Sequence, residues 1–143
     1  MIHKNTWEQV VPTRAKILLV DDDDLLRHSL QAIFLYTGYE VAVACSGEEA
    51  LQYASGHPFD ILVTDYRMDG MDGLNLYREL KKGGRSFAAV MISGFSDEEM
   101  VREAQREGVD KIFSKPLNLG ALEDTIAAAI RHHRNGQARL TGS

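Results

Sequence analysis

Short apolar runs alternate along this chain with longer stretches whose apolar residues recur every three to four positions, and each short run stops at a polar or turn residue. Runs of this kind read as buried strands, and the longer stretches between them as amphipathic helices, which together make strand-helix-strand units around a parallel sheet. Lys16–Val20 is the first strand, followed by a helix carrying Leu26, Leu30, Ile33 and Phe34 and ended by Gly38. Glu40–Ala44 is the second. Ser46, with Glu49 three residues on, forms a capping box for a helix bearing Ala50, Leu51 and Ala54, which His57-Pro58 stops. Residues 60–64 are the third strand, and a loop with Gly70 and Gly73 leads to a helix with Leu74, Tyr77 and Leu80 on one face, closed by Gly83-Gly84. Residues 88–92 are the fourth strand, with Ser96 and Glu99 as a second capping box for a helix ending near Gly108. A fifth strand at 110–114 and a last helix at about 118–133, with Leu122, Ile126 and Ile130 in register, complete five strand-helix units without internal repeat.

Three of the apolar runs end in chemistry: Val20 in Asp21-Asp22, Thr64 in Asp65, and Ser114 in Lys115-Pro116. Open parallel sheets bind ligands at the carboxyl ends of their strands, so the pattern gathers three carboxylates and one ammonium on one rim. The length of 143 residues and 44% hydrophobic content suit one compact domain. A net charge of −5 with scattered Lys and Arg provides no basic stripe, which argues against direct nucleic-acid binding. No stretch approaches the roughly 20 apolar residues of a membrane span. The polar start lacks the apolar core of a secretory signal, so the expected location is the cytoplasm. The single cysteine, Cys45, sits in the apolar run Val41-Ala-Val-Ala-Cys45 and reads as a buried structural thiol.

Asp21, Asp22 and Asp65 would repel one another without a cation between them. An all-oxygen set with few protein ligands suits Mg2+, which keeps several waters and often bridges to phosphate. Asp65 could then attack phosphorus to give an aspartyl-phosphate, with Lys115 as a second positive charge. Ser93, at the end of the fourth strand, offers a hydroxyl to a phosphoryl oxygen, and Gly94 leaves the backbone approach open. A cis bond at Pro116 could aim Lys115.

The strand-end pair Asp21-Asp22, the segment from Thr64 through Asp65 to Leu74, Ser93-Gly94 and Lys115-Pro116, in this order and spacing, resemble the receiver domain of two-component response regulators. The resemblance spans about residues 15–134, leaving 1–14 as an N-terminal extension and 135–143 as a C-terminal tail. It implies a doubly wound α/β fold, (βα)5, with a five-stranded parallel sheet in flavodoxin-like order 2-1-3-4-5. It implies Asp65 as phosphoacceptor, and Asp22 as a direct ligand of Mg2+ (or Mn2+). Asp21 would bind mainly through water and Arg67 through its backbone carbonyl, with Ser93 and Lys115 on the phosphoryl group. A receiver takes its phosphoryl group from a sensor histidine kinase, a histidine phosphotransfer protein or a small phosphodonor. It catalyses only its own phosphorylation and dephosphorylation, a signalling switch rather than a metabolic enzyme, and shifts a two-state equilibrium on the face of its last two units. With a short polar tail after the domain, the chain resembles a stand-alone receiver acting on a downstream protein, with a homodimer on phosphorylation as a further expectation.

Two positions depart from the family pattern. Ile112 stands where an aromatic is usual, and Phe113 beside it should point to the opposite face; Phe95 is the candidate to take over its reporting role. Asp69 stands where proline is usual and adds a carboxylate that Arg67 could offset, while the Arg67 side chain could limit water access. Simpler roles compete for several residues. Asp23 and Asp24 suit the cap and first turn of the first helix, Asp72 suits the cap of the third, and the five histidines share no ligand spacing. Trp7, Val10 and Val11 could dock on the core or a partner. Two alternative functions stay open: a haloacid-dehalogenase-like phosphohydrolase using Asp21, which would need an acidic pair beyond Lys115 where only Glu123-Asp124 occurs, and a receiver-like interaction module that never carries phosphate.

Overall fold

The computed structural model describes residues 15–94 and 97–140, the last three by backbone alone. In chain order the elements are β1 (Lys16–Val20), α1 (Asp24–Thr37), β2 (Glu40–Ala44), α2 (Gly47–Ala54), β3 (Ile61–Asp65), α3 (Gly73–Lys81), β4 (Ala88–Ser93), α4 (Glu98–Glu107), β5 (Lys111–Ser114) and α5 (Leu119–Leu140). The five strands pair in the order β2-β1-β3-β4-β5, and every pairing is parallel, with Ile17 opposite both Val41 and Ile61, Ile61 opposite Ala88, and Val90 opposite Lys111.

Strand position explains strand composition. The central β3 and β4 are buried along their whole length, whereas the edge strands β2 and β5 are only partly covered. This is the expected consequence of helices on both faces of a parallel sheet, where inner strands have no solvent side. Alternation divides the core in two. Leu18, Val20, Leu62, Ala89 and Met91 meet α2, α3 and α4 on one face, and Ile17, Leu19, Ile61, Val63 and Val90 meet α1 and α5 on the other.

Capping sets where the helices begin. Asp23, Ser46 and Asp72 each accept a hydrogen bond from backbone N–H groups of the first turn that follows, as the sequence predicts for all three. For α4 the described cap is Asp97, whose Oδ1 accepts from Glu99 and Met100 N–H; the expected cap Ser96 and the proposed reporter Phe95 lie outside the described residues, as do Trp7, Val10 and Val11. Gly38 ends α1 at φ 113°, a left-handed conformation that glycine adopts without a Cβ clash.

Two expectations are corrected. Cys45 is exposed, not buried: β2 is an edge strand that ends at Ala44, and Cys45 already belongs to the turn, its N–H donating to Glu49 Oε1 at 2.7 Å. The last helix does not stop at 133 but continues to Leu140. No proline interrupts residues 131–140, and the one glycine, Gly136, costs a helix only about 1 kcal/mol. Arg134 also pairs with Asp60 at 3.6 Å, and His133 Nε2 meets Ser86 Oγ at 3.1 Å, holding this part of α5 against the sheet.

Candidate functional site

The site forms where β1, β3, β4 and β5 end together on one rim. Asp21 is the residue after β1 and is buried. Its N–H still pairs with Ala44 O at 3.2 Å, and its Oδ1 accepts from Asp23 N–H at 2.9 Å. Asp22, one step on, is exposed, and its Oδ2 accepts from Asp69 N–H at 3.1 Å, which ties the loop after β3 to the loop after β1. Asp65 is the last residue of β3 and is buried despite its charge. Single ligand oxygens of Asp21, Asp22 and Asp65 lie within 4.8 Å of one another. Lys115 Nζ stands 3.5 Å from Asp65 Oδ1, and the Lys115 N–H donates to Ser93 O at 3.0 Å, joining the ends of β4 and β5. The Lys115-Pro116 peptide bond is cis, as anticipated.

Burial makes these acids unusual. Asp65 is pushed up to about 6, first by loss of water and then by the negative charge of Asp21, against the pull of Lys115. Asp21 is raised too, again chiefly by burial, with the Asp23 N–H and Lys115 opposing. Among the described residues, Asp21 Oδ2 and Asp65 Oδ1 are buried oxygens without a hydrogen-bond partner. Buried polar atoms normally have hydrogen-bond partners, and Asp65 Oδ1 has only its ion pair with Lys115, so two such carboxylate oxygens in one acidic cluster fit a hard divalent cation.

The surrounding chain builds space over this cluster. A cavity of about 400 Å3 is lined by Asp65, Arg67, Gly94 and Lys115. An adjoining one is lined by Asp22, Arg67, Asp69 and Asp72 among others. Arg67 borders both. Ser93 is buried at the end of β4. Ile112 packs with the α2–α4 face and Phe113 with the α1/α5 face, as alternation requires. Glu123-Asp124 lies within α5, where Glu123 accepts from Thr37 Oγ1 at the end of α1.

Three supporting residues escape the sequence reading. Arg27 donates to the Asp21 carbonyl at 2.8 Å and to Asp24 at 2.6 Å, clasping the turn that carries the acids; the Asp24-Arg27 spacing was its only trace. Gly73 sits against the Asp65 carbonyl so closely that a Cβ there would collide with it. Thr64 Oγ1 donates to the same carbonyl at 2.9 Å.

Comparison with known proteins adds to this geometry. The model of the response regulator receiver domain family matches residues 17–127. The chain belongs to that family. Among curated relatives, the transcriptional regulatory protein ZraR of Salmonella typhimurium is 36% identical over 124 residues, covering 87% of this receiver and 28% of that protein. The two-component response regulator PhoP of Pseudomonas aeruginosa is 34% identical over 116 residues, covering 81% of this receiver and 52% of that protein. The receiver thus spans about a quarter to a half of the length of these relatives. A CheY-like response regulator receiver domain protein from Methanospirillum hungatei superposes with a TM-score of 0.82 at 25% identity, covering 87% of this chain and 99% of that one. FixJ-N superposes with a TM-score of 0.76 at 29% identity, covering 84% and 96%. Among the described residues, no helix is long and apolar enough to cross a membrane.

Proposed function

We propose that this receiver accepts a phosphoryl group on Asp65 with the help of Mg2+ (or Mn2+) and thereby switches a protein-interaction face. The observation that carries the reading is the pair of buried carboxylate oxygens on Asp21 and Asp65 that no hydrogen bond satisfies, within 4.8 Å reach of Asp22, with the Asp65 oxygen ion-paired to Lys115. Asp21, Asp22, Asp65 and the Arg67 backbone carbonyl would hold the cation, which when bound supplies charge neutralisation for the phosphoryl oxygens. A carboxylate oxygen of Asp65 attacks phosphorus. The P–N bond of a phosphohistidine, or the P–O bond of a small acyl phosphate, breaks with its electron pair passing to the donor, and an acyl phosphate remains on Asp65. Water later returns the carboxylate and inorganic phosphate. Lys115 Nζ and the Ser93 hydroxyl contact the transferred group. The backbone bond from Lys115 to Ser93 makes the ends of β4 and β5 respond together, which biases the face made by the last two units.

In this reading the donor is a sensor histidine kinase or a histidine phosphotransfer protein, the location is the cytoplasm, and the output is contact with a downstream protein, with a homodimer on phosphorylation as one form of it. The chain is a signalling switch whose only catalysis is on itself. The test is intact mass after incubation with Mg2+ and acetyl phosphate, beside Asp65→Asn and a chelator control. A metal-dependent gain of one phosphoryl group, lost in Asp65→Asn, is the expected result. No gain together with failure to bind beryllofluoride overturns the proposal in favour of an unphosphorylated interaction module. Donor turnover that survives Asp65→Asn but is lost on changing Asp21 overturns it in favour of a hydrolase.

A further inference from the structure

Asp21 is tied down at every polar group but one. Its N–H donates to Ala44 O at 3.2 Å, its Oδ1 accepts from Asp23 N–H at 2.9 Å, and its carbonyl oxygen accepts from the Arg27 guanidinium at 2.8 Å. The group left over is Oδ2, buried without a hydrogen bond. Of these ties only the one from Arg27 comes from a charged side chain. Arg27 lies in the first turn of α1, with its N–H on the Asp23 carbonyl at 2.9 Å, so the cap that starts the helix also sets where this side chain begins. A second guanidinium nitrogen donates to Asp24 Oδ1 at 2.6 Å. The Arg27 side chain is only 11% exposed, against 79% for Asp24, so the guanidinium is withdrawn from water and held in its fork by two acceptors that it meets with separate nitrogens.

We propose that Arg27 is a positioning residue of the cation site: by holding the Asp21 carbonyl it sets the Asp21-Asp22 peptide so that both carboxylates stay beside Asp65 before a cation arrives. The inference rests on the phosphoacceptor reading given above. A peptide unit is planar, so a bond to the Asp21 oxygen orients the whole unit and with it the point from which Asp22 departs. Carboxylates whose oxygens lie within 4.8 Å of one another repel while no cation is bound. Asp22 is exposed, and its carboxylate is restrained by the Asp69 N–H at 3.1 Å, a bond from a loop. Without Arg27 the turn relaxes away from Asp65, and part of the binding free energy of the cation goes into restoring the geometry. Charge alone predicts the reverse. Arg27 is a positive group bonded to the residue that carries one of the acids, so its removal would make the cluster more attractive to a divalent ion. The sign of the effect therefore separates positioning from charge.

Calorimetric titration of the full chain with Mg2+ alone, repeated with Mn2+, tests this. Arg27→Ala should raise the dissociation constant about tenfold or more, with unchanged far-ultraviolet circular dichroism in chelator. Arg27→Lys keeps the stem and the charge but brings one nitrogen to acceptors that the guanidinium meets with two, and it should bind about threefold more weakly or worse. Arg106→Ala, in the last turn of α4, should leave the constant alone. Native-like constants in both Arg27 variants, or tighter binding in Arg27→Ala, overturn the inference. A lower Tm in chelator with an unchanged Mg2+ constant overturns it as well, by reducing Arg27 to a contact that only stabilises the fold. Mg2+ binding that Asp21→Asn abolishes upholds the cation site whichever way the Arg27 variants fall, whereas a native chain that takes up neither ion overturns the site and the inference together.

Discussion

Asp65 shows how a single side chain can be costly to the fold and still be kept. Its carboxyl is raised to about 6 from an ordinary 3.8 by burial and by the Asp21 charge. An acid raised on folding favours the protonated folded state, so its contribution is most favourable below about pH 4 and is lost as pH rises through about 6. Without metal, Asp65→Asn should therefore be more stable than the native chain above pH 6, by about 3 kcal/mol, and the gap should close toward pH 4. Urea denaturation in chelator across that range checks this, and a gap that ignores pH would remove the electrostatic explanation. Gly73 is the opposite case, a residue kept for what it lacks. Gly73→Ala forces a methyl into the Asp65 carbonyl and should cost about 1–3 kcal/mol by displacement of β3 or the following loop. Intact-mass phosphorylation should fall with it.

At the scale of elements, α4 is the least firmly embedded of the helices. It buries only Met100 and Ala104, and its other side chains are mostly charged. Its link to α3 is Arg78, whose guanidinium meets Glu107 through two nitrogens at 2.8 and 2.7 Å and Glu103 at 2.5 Å. Tyr77 adds a hydroxyl bond to the Glu107 carbonyl at 3.0 Å. These ion pairs are partly exposed, so Arg78→Ala should cost at most about 1 kcal/mol globally. Hydrogen exchange is the more telling measurement: amides of α4 should open faster while those of β3 and β4 keep their protection. Met100→Ala, which empties a buried position, should instead lower global stability by about 2–4 kcal/mol. Equal effects of the two variants would mean that α4 is held by charge rather than by burial.

For the whole molecule, metal and fold are linked. A cation that binds the acidic cluster only in the folded state raises stability with its concentration, by about 2.7 kcal/mol at one hundred times its dissociation constant. The Tm of the native chain should therefore climb with Mg2+, and that of Asp21→Asn and Asp65→Asn should climb much less. A native chain whose Tm ignores Mg2+ and Mn2+ would contradict the proposed metal site.

The strands, their order along the chain and the four sites at their ends were legible in the residues, because a two-sided parallel sheet forces apolar runs to end abruptly in polar positions. Asp21, Asp65, Ser93 and Lys115 stood out for that reason. The boundaries of β3 and β4 ran a residue further than the apolar pattern, since Asp65 and Ser93 stay in the ladder despite being polar. Cys45 was misplaced because an apolar run does not reveal that its strand lies on an edge. Local pattern thus determined the elements, the family and the identity of the acidic and basic residues. Only tertiary structure decided that Asp21 Oδ2 and Asp65 Oδ1 are buried without a hydrogen bond, and that Arg27 and Gly73 brace the site. Those properties depend on which atoms distant segments bring together and which they leave open to water, and the spacing along one chain does not encode them directly.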